Sequence, residues 1–218
     1  VKKSLVKPKR EQSREEEWAN SISHGTGLVA ALIGTPFLVA NAARHADTGF
    51  MVATCVFAAT MILLYLSSAF YHALPTGRAK DVFRVIEHSA IFLLIAGSYT
   101  PFTLGVLRGA WGWTMVWLVW SVAVAGVTLK IFDKISHPVL STGLYVLMGW
   151  LIVIAIDPML ERMPVAGLLW LLAGGLFYTS GVAFFATDSR LRYGHLIWHV
   201  FVMAGTTCHY FAVLWYAA

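Results

Sequence analysis

Residues 49–74 read GFMVATCVFAATMILLYLSSAFYHAL, twenty-six residues without one Lys, Arg, Asp or Glu. About 20 apolar residues of helix cross the hydrocarbon core of a bilayer. The stretch is long enough to span it and lacks the polar face of a soluble amphipathic helix. Six more windows of this kind follow from the same reading: Ile22–Ala43, Val85–Leu107, Trp111–Leu129, Val139–Asp157, Val165–Ala186 and Gly194–Ala217. Gly49–Leu74 is the second of the seven.

The composition agrees. The 218 residues are 58% apolar or aromatic and 12% charged, with a mean hydropathy of +0.70, whereas a soluble domain is about 25% charged. A disordered chain, a soluble sandwich or barrel and a cytosolic nucleotide-binding enzyme are excluded. The expected fold is an all-α membrane protein, a seven-transmembrane helix bundle over residues 21–218. Residues 1–20 form a tail with room for a short interfacial helix. That tail is basic, but acidic residues stand where a signal peptide needs its apolar core.

Breakers and charges fill the connections: Arg44-His45-Ala46-Asp47, Pro75-Thr76-Gly77-Arg78, Arg108-Gly109, Asp133–Pro138, Pro158–Pro164 and Asp188–Arg192. Such short links join antiparallel neighbours. With the N-terminus inside, thirteen Lys and Arg fall on the cytoplasmic side, against Arg44, Arg108 and Arg162 outside. Positive charge favours the inner face, so the reading is N-terminus cytoplasmic and C-terminus outside. The net charge of +5 is therefore a topology signal, and nucleic acid is not an expected partner. Cys55 and Cys208 sit inside apolar runs and form no disulfide framework.

This orientation sorts the histidines by depth. His24, His72, His88, His137, His195 and His199 fall in the inner third of the bundle, with Glu87 beside them. His45 is in an external loop, and His209 lies about 15 Å further along its helix than His199. His195 and His199 are four apart and share a helical face, as do Ser68 and His72. Glu17, Asn20 and His24 form one stripe if the first helix starts early enough. Three neutral imidazoles and a water make the open tetrahedral site of a catalytic zinc, and Glu87 is placed to orient that water, take its proton or hold a ligand from behind.

Blander readings stand beside these. An H-x-x-x-H pair near the interface serves equally as two interfacial histidines. Ser68 is able to bond its own helix backbone, and Glu17 belongs to a solvated acidic run. His88 points about 100° away from Glu87 and reads as a core histidine. His137 precedes Pro138 and reads as a helix start. His209 is expected to find a partner on a neighbouring helix. Pro36 and Pro101 predict kinks, with a break at Tyr99-Thr100-Pro101 whose freed carbonyls Ser98 or Thr100 satisfies. Gly143, Gly149, Gly174, Gly175 and Gly181 predict close helix packing.

Four ordered motifs carry a family resemblance: Glu17-x-x-Asn20-x-x-x-His24, Ser68-x-x-x-His72, the stretch from Glu87 to Pro101, and His195-x-x-x-His199. Together they resemble the bacterial haemolysin III branch of the progestin and adipoQ receptor (PAQR) family. The resemblance covers the chain from about Glu16 onward. It implies a seven-helix bundle with a zinc near the cytoplasmic face, held by His72, His195 and His199. The family's acidic residue at the start of the third helix is usually Asp; here it is Glu87, one methylene longer. The family is grouped with alkaline ceramidases among membrane hydrolases, and its bacterial members are linked to haemolysis and to membrane lipid and energy homeostasis.

The function expected is a zinc-dependent intramembrane hydrolase of a lipid amide or ester. Glu87 and Ser68 act in catalysis, and Glu17, Asn20, His24 and His88 support them. Membrane lipids are the expected partners, with a lipid substrate or fatty-acid product at the site, in the bacterial inner membrane. A pore-forming protein and a lipid-sensing receptor with a structural zinc are the alternatives. Retinal is excluded, because the seventh span has no lysine for a Schiff base.

Overall fold

The computed structural model describes residues 10–135 and 138–218. His137 lies outside these, as do Lys2, Lys3, Lys7 and Lys9. Among the described residues every regular element is helical: α1 Arg14–Arg44, α2 Thr48–Ala73, α3 Arg78–Pro101, α4 Gly109–Ile131, α5 Pro138–Gly149, α6 Ile156–Arg162, α7 Val165–Thr187 and α8 Gly194–Tyr216. A π-helical turn, Phe102–Leu107, prolongs α3, and a 3₁₀ turn, Leu151–Ala155, joins α5 to α6. Among the described residues seven segments are long and apolar enough to cross a membrane.

The first and third spans begin about two turns before the apolar windows at Ile22 and Val85. Hydropathy marks where a chain enters lipid, and in α1 a cap sets where the helix starts. Ser13 caps α1: its Oγ accepts from the Glu16 amide, and the Glu16 carboxylate accepts from the Ser13 amide at 2.9 Å. This capping box satisfies two otherwise orphaned donors. It also carries Glu16, Glu17 and Asn20 into a regular helix ahead of the apolar segment.

Along α1 the buried residues are Glu16, Asn20, His24, Gly27, Ala31, Leu38 and Ala42. They make one helical stripe that is polar at its start and small or apolar beyond. Large apolar side chains such as Trp117, Leu147 and Val165 point outward, as a lipid-facing surface requires. In α7 the described buried residues are Gly167, Gly174 and Gly181, seven apart. A side chain at Gly174 would collide with the His209 ring, and one at Gly181 with Trp198 and Phe201. Missing side chains let α7 and α8 approach closely. Gly143 and Gly149 have open space around them and serve no such packing.

The proline effects differ from expectation. α1 continues as helix through Pro36. Pro101 ends the α-helical pattern towards the far end of its span rather than at mid-span, and the chain continues as a π turn. The Ser98 and Thr100 hydroxyls donate to the carbonyls of Ile95 and Ala96, not to that of Gly97, which the proline frees. The main interruption falls in the fifth span, after Gly149. There the Tyr99 hydroxyl lies within hydrogen-bond reach of the carbonyls of Met148 and Gly149, at 3.0 and 2.7 Å, and accepts from the Ile152 amide at 2.9 Å. Broken backbone inside a membrane needs such substitutes. Pro158 sits inside α6, so the connection expected at Pro158–Pro164 shrinks to Met163 and Pro164.

Candidate metal centre

The starts of α1, α3 and α8 and the end of α2 meet at one end of the bundle. α2 contributes Ser68 and His72, α3 Glu87, α8 His195 and His199, and α1 Glu17, Asn20, Ser23 and His24. One nitrogen from each of His72, His195 and His199 lies within 4.8 Å of the others. The ring centroids are 5.0 Å apart for His72 and His195, 5.1 Å for His72 and His199, and 4.7 Å for His195 and His199. His72 and His199 are buried and His195 is half-buried.

Each of the three rings has its Nδ1 held from outside. His72 Nδ1 donates to Glu17 Oε2 at 2.7 Å, and His195 Nδ1 donates to Asp188 Oδ2 at 3.3 Å. His199 Nδ1 faces the Asn20 carbonyl at 3.3 Å and Ser23 Oγ at 2.9 Å. The Ser23 hydrogen already goes to that same carbonyl, so the proton between serine and histidine belongs to Nδ1. With Nδ1 protonated, Nε2 carries the lone pair on all three rings. The buried Nε2 of His72 has no hydrogen-bond partner. A partner on the outer nitrogen fixes tautomer and ring direction at metal sites.

These residues fit a metal. The donors are soft-to-borderline imidazoles, and they lie close enough for small side-chain adjustments to reach Zn–N distances of about 2.1 Å. An orphaned buried nitrogen is costly unless something occupies it.

A second line of groups runs beside the three histidines. His24 Nδ1 donates to Ser68 Oγ at 2.7 Å, and Ser68 Oγ donates to Glu87 Oε1 at 2.6 Å. Ser68, expected to act in catalysis, has its hydrogen committed to Glu87. Glu87 Oε1 is 3.7 Å from His72 Nε2, and the His24 ring stacks on His199 with centroids 3.5 Å apart. His24, Glu87 and His199 also bring one ligand atom each within 4.8 Å. Glu17 is no solvated acid: besides His72 it pairs with Lys80 Nζ at 3.0 Å. Asn20 contributes its backbone carbonyl to His199, and its side chain donates to Gln12. His88 stands apart, its carbonyl accepting from the Tyr145 hydroxyl.

Sequence reasoning missed Asp188, Ser23 and Lys80. It also missed a clamp around Asp188. Arg10 grips Glu16 through two bonds of 2.6 and 2.8 Å and reaches the carbonyls of Asp188 and Leu191 at 3.4 and 3.2 Å. Glu16 Oε1 accepts from the amide of Tyr193 at 2.8 Å, a residue with a positive φ of 58°. Ser13-x-x-Glu16 was a legible signal for part of this.

A largely apolar, partly open cavity leads from the cluster into the bundle. His24, Glu87 and His199 line one end, and Trp150, Thr179 and His209 lie further along.

Seven membrane-crossing helices around a buried histidine–carboxylate cluster able to hold a metal define a multi-pass membrane protein, in bacteria one of the cell membrane. The particular family is shown by comparison: a sequence model described as "Haemolysin-III related" matches residues 12–210, and the chain belongs to that family. It is 41% identical to the hemolysin-3 of Bacillus cereus over 93% of this chain and 92% of that protein. It is 40% identical to a hemolysin-3 homolog of Bacillus subtilis over 93% of this chain and 94% of that protein. A distant relative is the human monocyte to macrophage differentiation factor, 26% identical over 91% of this chain and 83% of the human one. No solved structure matches the chain significantly.

Proposed function

We propose that the protein is a zinc-dependent intramembrane hydrolase of a lipid amide or ester, serving membrane homeostasis, with its N-terminus in the cytoplasm. The observation that carries this reading is the set of three imidazoles, each held at Nδ1, beside a hydrogen-bonded carboxylate that lines an apolar cavity together with His199. Zinc bound by His72, His195 and His199 would supply Lewis acidity and lower the pKa of a coordinated water toward about 7.

The chain's own residues do the rest. Glu87 is held at Oε1 by Ser68, which leaves Oε2 to take the proton of the attacking water and pass it to the leaving group. Ser68 and His24 orient that carboxylate. Glu17, Asp188 and the Asn20 carbonyl keep the imidazole lone pairs aimed inward. The cavity walls hold the apolar chain and exclude bulk water. The relatives' names point to a haemolytic role instead, but no structural observation favours a pore.

Turnover of lipid amides and esters by detergent-purified protein tests the reading. Glu87→Gln is expected to keep its metal and lose hydrolysis by about a hundredfold or more. Metal-loaded, folded wild type that turns over neither class would leave the metal as a structural element of a receptor.

A further inference from the structure

The polar groups along the cavity are almost all committed to one another. The Tyr99 hydroxyl serves the break after Gly149, and Tyr145 donates to the His88 carbonyl. Trp150 Nε1 donates to Thr179 Oγ1, which donates to the Gly175 carbonyl. The Thr206 hydroxyl gives its hydrogen to the Val202 carbonyl, so the 2.7 Å contact between Tyr178 and Thr206 uses the hydrogen of Tyr178. Among the described residues, three buried side-chain atoms of the lining are left with no partner: His24 Nε2, Thr142 Oγ1 and His209 Nδ1.

The first two belong to the cluster end. Thr142 lies near the start of α5, and His24 is stacked on His199. His209 is different. It sits about 15 Å along α8 from His199, well away from any metal ligand. Its Nε2 lies 3.4 Å from the Leu171 carbonyl, and a carbonyl only accepts, so the ring proton belongs to Nε2. Nδ1 is therefore a buried, unpartnered acceptor on a residue that lines the apolar cavity. A purely hydrocarbon occupant would seal it off unpaired, at a cost like that of any stranded buried polar group.

We infer that His209 reads a hydrogen-bond donor, a hydroxyl, in the middle of the chain of the lipid whose polar end lies at the metal cluster. This rests on the lipid-hydrolase reading for the cavity's occupant and adds its chemical class: a single-chain lipid hydroxylated well away from its scissile bond. Discrimination is strong when a site is built around a polar group, because the analogue that lacks the group leaves the site's own atom unpaired.

Ricinoleate and oleate differ only by a mid-chain hydroxyl and serve as product-like probes. Their binding to metal-loaded protein in detergent is compared for wild type, His209→Phe and His209→Asn. Wild type should bind ricinoleate about tenfold more tightly than oleate. The Phe variant should lose that preference or reverse it. The Asn variant, whose side-chain oxygen falls near the position of Nδ1, should keep part of it. Metal content verifies that each variant is folded. Equal binding of both probes by wild type would overturn the inference, with water serving His209, and leave the lipid reading standing. Binding of neither probe by metal-loaded wild type would overturn the occupant itself and the inference with it.

Discussion

A histidine ligand is only as good as the group behind it. His72, His195 and His199 each have an oxygen partner at Nδ1, and those partners come from a first-helix carboxylate, a loop carboxylate and a first-helix carbonyl. Replacing Glu17 by Gln is expected to weaken metal affinity about 10- to 100-fold with the fold intact, as read by competition with a chelator. His199→Ala should lose the metal, whereas His209→Ala, about three helix turns beyond His199, should retain it. His195 and His199 were legible because i, i+4 spacing in a helix fixes a shared face whatever surrounds it, and His72 because the charge asymmetry places it at the same depth. Asp188 and Ser23 were not: one stands in a connection and the other on a separate helix. Only docking of α1 and α7 against α8 brings them to the rings.

At the scale of elements, two joints depend on single side chains. The Tyr99 hydroxyl stands in for backbone hydrogen bonds lost where α5 gives way to the 3₁₀ turn. Tyr99→Phe strands those groups inside the bundle and should lower stability by about 1–3 kcal/mol, measured as thermal unfolding in detergent. Asp47 caps α2: its carboxylate accepts from the Phe50 amide and faces Arg108 at 3.2 Å. The Phe50 amide first, and Arg108 with it, hold its pKa below the ordinary 3.8. The cap therefore contributes fully above that ordinary value and is lost as pH falls through the depressed one. Asp47→Ala should unfold at a lower temperature than wild type at neutral pH, and the two should converge once the carboxyl is protonated. The early start of α1 was readable in Ser13-x-x-Glu16. The fifth-span interruption was not, because its cause is a tyrosine fifty residues away in sequence.

The whole bundle is legible in sequence because lipid imposes a coarse rule: charges collect at span ends and apolar residues fill the spans. The seven crossings and their antiparallel order follow from that rule alone. What it cannot convey is which apolar face turns inward, since large side chains serve lipid and core equally well. The structure resolves this through small residues, with Gly174 and Gly181 admitting α8 and its histidines. Membrane sidedness has its own test. With the native cysteines replaced, a single cysteine at Ala46 should be labelled by an impermeant reagent on intact cells. One at Ser189 should be labelled only after permeabilisation, and the reverse pattern would invert the proposed topology.

The most direct measurement is elemental analysis of detergent-purified protein, wild type beside His72→Ala and His199→Ala. About one zinc per chain is expected in wild type and loss of it in both variants, with all three proteins folded. Folded wild type without a transition metal, or a metal retained in both variants, would contradict a centre built on these three histidines.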